Sequence, residues 1–209
     1  MRALVVYCHP IEGSFTSAVR DVVLGRLADA GAEVRLHDLY AQGFQPVLTG
    51  GELDIYLDTP ANRAPVEAQC ADIEWCDTLI FIYPTWWYGL PAMLKGWLDR
   101  VLVPDVAFIM PKKDGDIIKR GLTHITRLGV FTTCGASWWL TRYIGAPGKR
   151  TLMRGVGLLL SRRVRKVFAA HYLMDSAKRP ELIKHLARVE AQVDRLIGPR
   201  PQPAAQAAE

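Results

Sequence analysis

The sequence contains few cysteines and no long hydrophobic segment. Its four cysteines include no C-x-x-C pair and none of the paired spacings typical of zinc sites, so we expect reduced thiols and no metal. The longest apolar stretch, at 155–160, is far shorter than the ~20 residues of a membrane-spanning helix. The apolar run after Met1 is also too short for a secretory signal. These absences predict a cytoplasmic protein without a membrane span.

A strong excess of charge of either sign is also missing. The formal net charge of +5 suits anionic partners such as nucleotides, nucleic acid or a membrane surface, but it is too small to choose among them. Charge alone therefore does not identify the partner. We predict small-molecule partners and no nucleic-acid partner. Half of the 209 residues are hydrophobic, which is the balance of a globular chain. Length and composition favour one domain with one or two long loops, although two domains stay possible.

Short apolar segments alternate with segments of helical periodicity along most of the chain. The apolar segments have the length of buried strands and lack the period-two pattern of half-exposed ones. This alternation predicts an α/β fold with a parallel sheet and helices on both faces. The predicted strands are Ala3–Cys8, Val34–Leu36, Thr78–Tyr83, Leu128–Thr133 and Val167–Ala170.

Three helices are evident from their apolar faces. The first covers 15–27, the second 90–102 and the third 180–197. The second and third each carry a proline in the first turn, where proline is tolerated. The Pro- and Ala-rich residues that follow, 199–209, predict a mobile tail. We therefore place the folded domain at 1–198.

The loops at the carboxyl ends of the strands are where such sheets bind ligands. The loop after the first strand places Ser14, Thr16 and Ser17 at the start of a helix. Free backbone N–H groups and the helix dipole favour an anion such as phosphate at this position. For a single serine before a helix, a plain N-cap is the commoner role, and His9 could be an ordinary loop residue. The loop does not have the glycine-rich GxGxxG or Walker pattern.

The loop after the third strand is unusual because Trp86, Trp87 and Tyr88 follow one another between Pro84 and Gly89. Aromatic rings at the end of a sheet could wall a pocket for a flat heterocycle, with backbone groups bonding to its edge. The same rings could instead be hydrophobic plugs or interface residues. This loop alone leaves both interpretations open.

The loop after the fourth strand favours the ligand interpretation. The sequence Thr133-Cys134-Gly135 predicts a narrow turn with exposed amides, and Trp138 with Trp139 supplies a second aromatic wall. Two aromatic loops that face one phosphate-binding loop indicate a ligand with a planar ring and a phosphate tail.

Three segments resemble the flavin-binding segments of the NAD(P)H:quinone oxidoreductase family, the DT-diaphorase-like group of flavodoxin-like flavoproteins. They are CHPIEGSFTSAV, YPTWWYGLPAMLKGWLDRVL and VFTTCGAS, and the similarity runs in order through most of the chain. The middle segment, which has the pattern P-x-x-W-[FY]-G-x-P-A-x-L-K-G-W, is the most specific of the three. The resemblance implies a flavodoxin-like five-stranded parallel sheet of order 2-1-3-4-5.

The resemblance also implies which residues hold the flavin, which would be FAD or alternatively FMN. Those expected around its phosphate chain are His9, Ser14, Phe15, Thr16 and Ala18. Those expected along the isoalloxazine, mainly through backbone atoms, are Pro84, Thr85, Trp86, Trp87 and Tyr88. Those expected at its N1–C2 edge are Thr132, Thr133, Cys134 and Gly135.

By the same resemblance, the protein would transfer a hydride from NAD(P)H through the flavin to a quinone or related small electrophile, in a ping-pong cycle. The side chains of Trp87 and Tyr88 would shape where nicotinamide and quinone lie. A homodimer is implied, and exposed Trp138 and Trp139 would suit its contacts. The alternatives are a flavodoxin-type electron carrier, which the basic charge disfavours, and an ancillary flavoprotein subunit of an ion-efflux system, for which the chain gives no argument.

The sequence departs from the family after the third flavin-binding turn. The vertebrate enzymes have a Tyr and a His there, proposed to stabilise charge on the reduced flavin, and Leu140 and Ala146 stand at the same spacing here. Tyr143 is the candidate catalytic substitute. Cys134 stands where the family often has glycine, and it suits a tight turn better than a nucleophile.

Two groups of basic residues follow in the second half of the chain. The cluster at 162–166 precedes the fifth predicted strand, and a solvated connector is the favoured interpretation. The alternative is a site for the phosphate of NADPH or for another anionic partner. Arg142, Lys149 and Arg150 compete for that role.

Overall fold

The structure, a computed structural model, describes residues 1–111, 113 and 116–198, so the tail predicted at 199–209 lies outside the described residues. Seven strands run along the described chain, five of them in one sheet and two in a separate antiparallel pair. They are β1 (Arg2–Tyr7), β2 (Glu33–Asp38), β3 (Thr78–Thr85), β4 (Phe108–Ile109), β5 (Lys119–Arg120), β6 (Arg127–Cys134) and β7 (Arg165–His171).

The five-stranded sheet has the order β2-β1-β3-β6-β7, and every neighbouring pair is parallel. Counted within this sheet, the order is the predicted 2-1-3-4-5. The strand β3 runs two residues beyond its predicted end because Pro84 and Thr85 pair with Thr133 and Cys134 of β6. The order reverses between β1 and β3, and this is the switch point beside which ligands bind.

Helices cover both faces of the sheet, as predicted. They are α1 (Phe15–Asp29), α2 (Gly50–Asp54), α3 (Glu67–Trp75), α4 (Ala92–Val101), α5 (Trp138–Tyr143), α6 (Pro147–Arg150), α7 (Gly157–Leu159) and α8 (Arg179–Ile197). The segment Thr151–Val156 between α6 and α7 is a π-helical turn, and Ala61–Val66 and Met174–Ser176 are short 3₁₀ helices. None of the helices in the described part is both long and apolar enough to cross a bilayer.

The core has two layers because successive strand residues point to opposite faces of the sheet. On one face, Leu4 and Val6 of β1 join a cluster with α3 and α4, in which Trp97 is fully buried. On the other face, Ala3 and Val5 join a cluster with α1 and α8. Apolar side chains on the helices therefore pack against both faces of the sheet.

The amino ends of the strands meet around Asp77, which directly precedes β3. Its Oδ2 accepts the Arg2 amide at 3.0 Å, and its Oδ1 accepts the Thr78 hydroxyl at 2.7 Å and lies 3.4 Å from Nη1 of Arg127. Its own amide donates to the Arg2 carbonyl, and its carbonyl accepts the Thr126 amide, each at 2.9 Å. One side chain and its backbone thus satisfy the polar groups of three strand ends.

The four cysteines are free thiols, and all are buried. Burial raises the pKa of Cys8 and of Cys76 to about 12 and the pKa of Cys70 to about 11. Cys134 lies at the end of β6 and is 4% exposed. For Cys8, Cys70 and Cys76, burial disfavours the thiolate, which is the reactive form.

Candidate functional site

A cavity of about 700 Å³ opens at the carboxyl end of the sheet. Its walls come from the loops that follow β1, β3, β6 and β7. The lining residues are His9, Pro84, Thr85, Trp86, Trp87, Tyr88, Thr133, Cys134, Gly135, Ala136, Leu140, Met174 and Asp175. Both its volume and its place at the switch point are typical of small-molecule sites in open α/β sheets.

The aromatic segment after β3 forms a strained turn at the cavity mouth. The Gly89 amide donates to the Trp86 carbonyl at 2.9 Å, and the two central residues, Trp87 and Tyr88, have φ of 48° and 61°. Two positive φ angles are the pattern of a type I′ turn, which normally uses Asn-Gly. For residues with a Cβ, this conformation costs about 1–2 kcal/mol each. The cost places strain at the mouth of the cavity, where strained residues are commonly functional.

The same turn presents an aromatic surface and free hydrogen-bond donors. The Trp87 side chain is 95% exposed, and the Trp86 ring lies 6.5 Å from the ring of His9. Within the described chain, neither Trp87 nor Tyr88 donates its amide N–H to another residue. The turn can therefore both stack on a planar ligand and donate to its polar edge.

The first turn of α1 has the geometry of an anion site. Oγ of Ser14 accepts the Ser17 amide at 3.1 Å, and the Ser14 carbonyl accepts the Ala18 amide at 3.1 Å. Ser14 is therefore a true N-cap, and the preceding amides of Phe15 and Thr16 have no intrahelical acceptor. Free amides at the start of a fifteen-residue helix favour a phosphate or carboxylate.

His9 adds a neutral donor to this region. Its Nδ1 lies 3.1 Å from the Ile11 amide and 3.2 Å from the Ile11 carbonyl oxygen, so it accepts from the amide in one tautomer and donates to the carbonyl in the other. Burial lowers the pKa of His9, although the Ile11 backbone partly opposes the shift. Burial therefore favours the neutral imidazole, which can donate one hydrogen bond through the ring nitrogen that carries the proton.

Threonine hydroxyls tie the walls of the cavity together. Oγ1 of Thr16 in α1 lies 3.3 Å from Oγ1 of Thr133 in β6, and Oγ1 of Thr85 lies 2.8 Å from Oγ1 of Thr132. Thr132 is buried beneath the cavity and does not line it. These contacts connect the helix N-terminus to the ends of β3 and β6, so the three loops are held in one arrangement.

Gly135 permits a close approach by a carboxylate. A Cβ at this position would lie 2.6 Å from Oδ2 of Asp175, which follows β7 in the turn Met174–Ser176. Asp175 and Met174 line the cavity, as do Ala136 and Leu140, and none of these four was predicted as a site residue. Their position just after a strand end was the available signal for Met174 and Asp175.

Most of the residues predicted to hold the flavin line the cavity, and the remainder lie beside or beneath it. Ser14, Phe15, Thr16 and Ala18 form the first turn of α1, and Thr132 lies underneath. The ring of Phe15 packs against His171 and His185 at centroid distances of 5.6 and 5.9 Å. Burial, followed by nearby His171 and Arg188, lowers the pKa of His185 to about 4.

Tyr143, the predicted catalytic substitute, does not line the cavity. Its side chain is 77% exposed and stacks on Trp139, with ring centroids 5.7 Å apart and an interplanar angle of 7°. Of the two positions that depart from the family pattern, Leu140 lines the cavity and Ala146 borders a neighbouring pocket. The described cavity wall therefore has no phenol or imidazole at these positions.

The family model described as a flavodoxin-like fold matches residues 1–193. The chain belongs to this flavodoxin-like family. Among its relatives, the rat ribosyldihydronicotinamide dehydrogenase (quinone) is 28% identical over 158 residues, which cover 68% of this chain and 67% of the rat protein. The chain spans about half the length of several other curated relatives that it matches. The predicted kinship with quinone oxidoreductases is confirmed.

Solved structures with the same flavodoxin-like fold align over almost the whole chain. The NAD(P)H:quinone oxidoreductase from Methanothermobacter marburgensis has a TM-score of 0.76 and 24% identity, covering 92% of this chain and 97% of that one. An FMN-dependent NADH-azoreductase from Bacillus anthracis, in complex with FMN, has a TM-score of 0.74 and 15% identity, covering 95% and 100%. At these identities the likeness establishes the fold.

Proposed function

We propose that the protein is a flavin-dependent oxidoreductase that passes two electrons, as hydride, from NAD(P)H to a quinone or related small electrophile. The observation that carries the proposal is the strained turn Trp86–Gly89, whose exposed rings and free amides stand at the cavity mouth. The names of the relatives support the same class of reaction.

The donors around the cavity fit a flavin. The free amides of Phe15 and Thr16, with neutral His9, suit its phosphate chain. The amides of Trp87 and Tyr88 suit the polar edge of its ring, and aromatic side chains suit its faces. The flavin would be FAD, or alternatively FMN, and the FMN complex of the azoreductase of the same fold supports the alternative.

A bound flavin would supply the ring that accepts and releases the hydride. The protein would then contribute position and electrostatics. The exposed ring of Trp87 and the half-buried ring of Tyr88 would stack on nicotinamide or quinone and exclude water from the reacting face. The turn Thr133–Gly135 would direct donors to the ring edge where negative charge develops, although the Asp175 carboxylate beside Gly135 opposes that charge. Tyr143 does not line the cavity, and its catalytic role stays a prediction.

The proposed assembly is a cytoplasmic homodimer of the domain predicted at 1–198. Trp138, Trp139 and Tyr143 expose aromatic surface on α5, beside the cavity. A second copy that covers this surface would remove an apolar patch from water. Size-exclusion chromatography with light scattering tests this part of the proposal, and a monomer at micromolar concentration would contradict it.

The experiment on function begins with heat release of the bound flavin and its identification by chromatography. The reconstituted protein is then given NADH or NADPH with menadione, and initial rates are measured over a grid of both substrates. Parallel double-reciprocal lines are expected for alternating binding of donor and acceptor at one site. Protein that retains no flavin after reconstitution would overturn the proposal. Reduction by a protein donor without oxidation of NAD(P)H would indicate the electron-carrier alternative, and co-purification with a membrane protein would indicate the ancillary-subunit alternative.

A further inference from the structure

A second concave site lies next to the cavity, on the other side of α5. It has a volume of about 170 Å³ and lies between α5 and the helical run that begins with α6. Thr141 in its wall lies 3.6 Å from Sγ of Cys134, which lines the main cavity. The lining residues are Trp138, Thr141, Arg142, Gly145, Ala146, Lys149, Arg150, Met153, Arg154 and Tyr172. We call this site the basic pocket.

The basic pocket concentrates positive charge that forms no ion pair with any described acidic residue. Four of its lining residues are cations, Arg142, Lys149, Arg150 and Arg154, and none of the lining residues is a carboxylate. Within residues 1–111, 113 and 116–198, no ion pair includes any of these four. Unpaired cations in a concave surface focus the field and attract an anion.

Packing orients these cations without an acidic partner. Nη1 of Arg150 would lie 3.2 Å from a Cβ at Gly145, whose φ is +96°, so the guanidinium rests against a position that only glycine readily occupies. The guanidinium carbon of Arg142 lies 5.8 Å from the ring centroid of Trp138, and Nζ of Lys149 lies 4.3 Å from that of Phe168. Aromatic rings thus hold two of the cations by cation–π contact.

The chemistry of the pocket matches an adenosine phosphate. Guanidinium groups bind phosphate through paired N–H donors, and the half-exposed indole of Trp138 offers a face on which a base can stack. The basic pocket neighbours the main cavity, because Thr141 in its wall contacts Cys134 in the cavity wall. We infer that the basic pocket binds the 2′-phosphate of NADPH while the nicotinamide lies in the main cavity. This inference rests on the proposed function, and it predicts preference for NADPH over NADH.

The binding test compares nucleotides that differ in where the phosphate is attached. The flavin-loaded protein is titrated by calorimetry with 2′,5′-ADP and with ADP, which has the same number of phosphates on the 5′ side alone. We expect 2′,5′-ADP to bind about tenfold more tightly, because charge-assisted hydrogen bonds are the strong ones. The double variant Arg142→Gln/Arg150→Gln should lose about tenfold in affinity for 2′,5′-ADP.

The matched control is Arg163→Gln, which removes an exposed cation at the opposite edge of the sheet and outside the pocket. It should leave the affinity for 2′,5′-ADP unchanged. In turnover, the ratio of kcat/KM for NADPH to that for NADH should fall about tenfold in the double variant and stay constant in the control. Circular dichroism checks that each variant is folded.

Two outcomes would overturn the inference: equal affinity of the wild type for ADP and 2′,5′-ADP, or an equal loss of affinity in the double variant and the control. Failure of the proposed function has a different signature. Flavin-loaded protein that oxidises neither NADH nor NADPH would overturn that function. The titration needs no turnover, so it still decides whether the pocket takes a 2′-phosphate.

Discussion

Polar and aromatic groups are arranged in opposite ways at the two ends of the strands of the central sheet, which we call the amino edge and the carboxyl edge. At the amino edge, Asp77 satisfies the amide of Arg2 and the buried hydroxyl of Thr78 and lies within 3.4 Å of Arg127. At the carboxyl edge, Trp87 and Tyr88 adopt unfavourable backbone angles, aromatic rings face solvent, and the cations of the basic pocket have no acidic partner in the described chain. The polar groups at the amino edge are satisfied within the protein, which stabilises the fold. The strained, exposed and unpaired groups at the carboxyl edge are typical of a ligand site.

The largest expected difference between the edges concerns two glycines. In Gly121→Ala, near the amino edge, the new Cβ would lie 2.4 Å from the Val106 carbonyl oxygen and 2.7 Å from the Ala107 carbonyl carbon. Backbone atoms cannot move aside cheaply, so we expect a loss of about 3 kcal/mol in the free energy of unfolding. Urea denaturation measures this loss.

The matched variant at the carboxyl edge is Gly135→Ala. Its new Cβ would meet Oδ2 of Asp175, the end of an exposed side chain that can rotate away. We expect a loss below about 1 kcal/mol. Equal losses in the two variants would contradict the division between the edges.

The next prediction concerns acid sensitivity at the carboxyl edge. His185 faces Phe15, His171 and Arg188, and burial lowers its pKa in the folded state to about 4, against an ordinary value of about 6.5. Between these values the unfolded chain binds more protons, so the free energy of unfolding falls as the pH drops from 6.5 to 4. The expected total is about 2–3 kcal/mol.

Denaturation midpoints of the wild type and of His185→Gln are measured across this pH range. Their difference separates the contribution of His185 to the pH dependence of stability from that of the carboxylates. The difference between the two proteins should change between pH 6.5 and 4 and stay level above pH 7. A constant difference throughout would show that His185 is not the acid-sensitive group.

A smaller effect is expected from two aspartates, one at each edge. Asp77→Ala leaves the buried hydroxyl of Thr78 and the amide of Arg2 without their acceptor. We expect a loss of about 2 kcal/mol in the free energy of unfolding. Asp175→Ala, at the exposed carboxyl edge, should change it by less than about 0.5 kcal/mol. Thermal and urea unfolding of both variants would show whether this order holds.

The smallest change in stability is expected from relief of strain in the aromatic turn. In Trp87→Asn/Tyr88→Gly, both central residues suit positive φ, so the protein should become about 1 kcal/mol more stable. Removal of the two rings should lower quinone turnover at least about tenfold, while absorbance should show that flavin is retained. A variant that is less stable, or that turns over like the wild type, would remove the argument that strain is maintained here for function.

The sequence predicted the scaffold well because buried strands and helices leave recognisable patterns of apolar residues. The strands of the main sheet were each found to within two residues, since buried parallel strands are continuous apolar runs. The pair β4–β5 was missed because strands of two residues have no periodicity. The order of strands came from resemblance to a family, because local sequence does not determine which strands pair.

The site was predicted in part, and the missing parts depend on tertiary structure. His9, Thr85 and Thr133 were found from their positions after strands. Met174 and Asp175 reach the cavity through a short 3₁₀ turn, which has no apolar pattern to reveal it. Positive φ at Trp87 and Tyr88 contradicts the usual residue preferences of turns, so propensity could not predict it. The absence of acidic partners in the basic pocket is likewise a property of the fold alone.

The burial of the cysteines affects how readily the protein is oxidised. Among the forms of cysteine, peroxide attacks the thiolate first. Cys8, Cys70 and Cys76 have pKa values of about 11 to 12, so at neutral pH they stay protonated and inert. These three thiols are therefore poor targets for peroxide, and an oxidative loss of activity should be sought first at Met174, whose thioether lines the cavity.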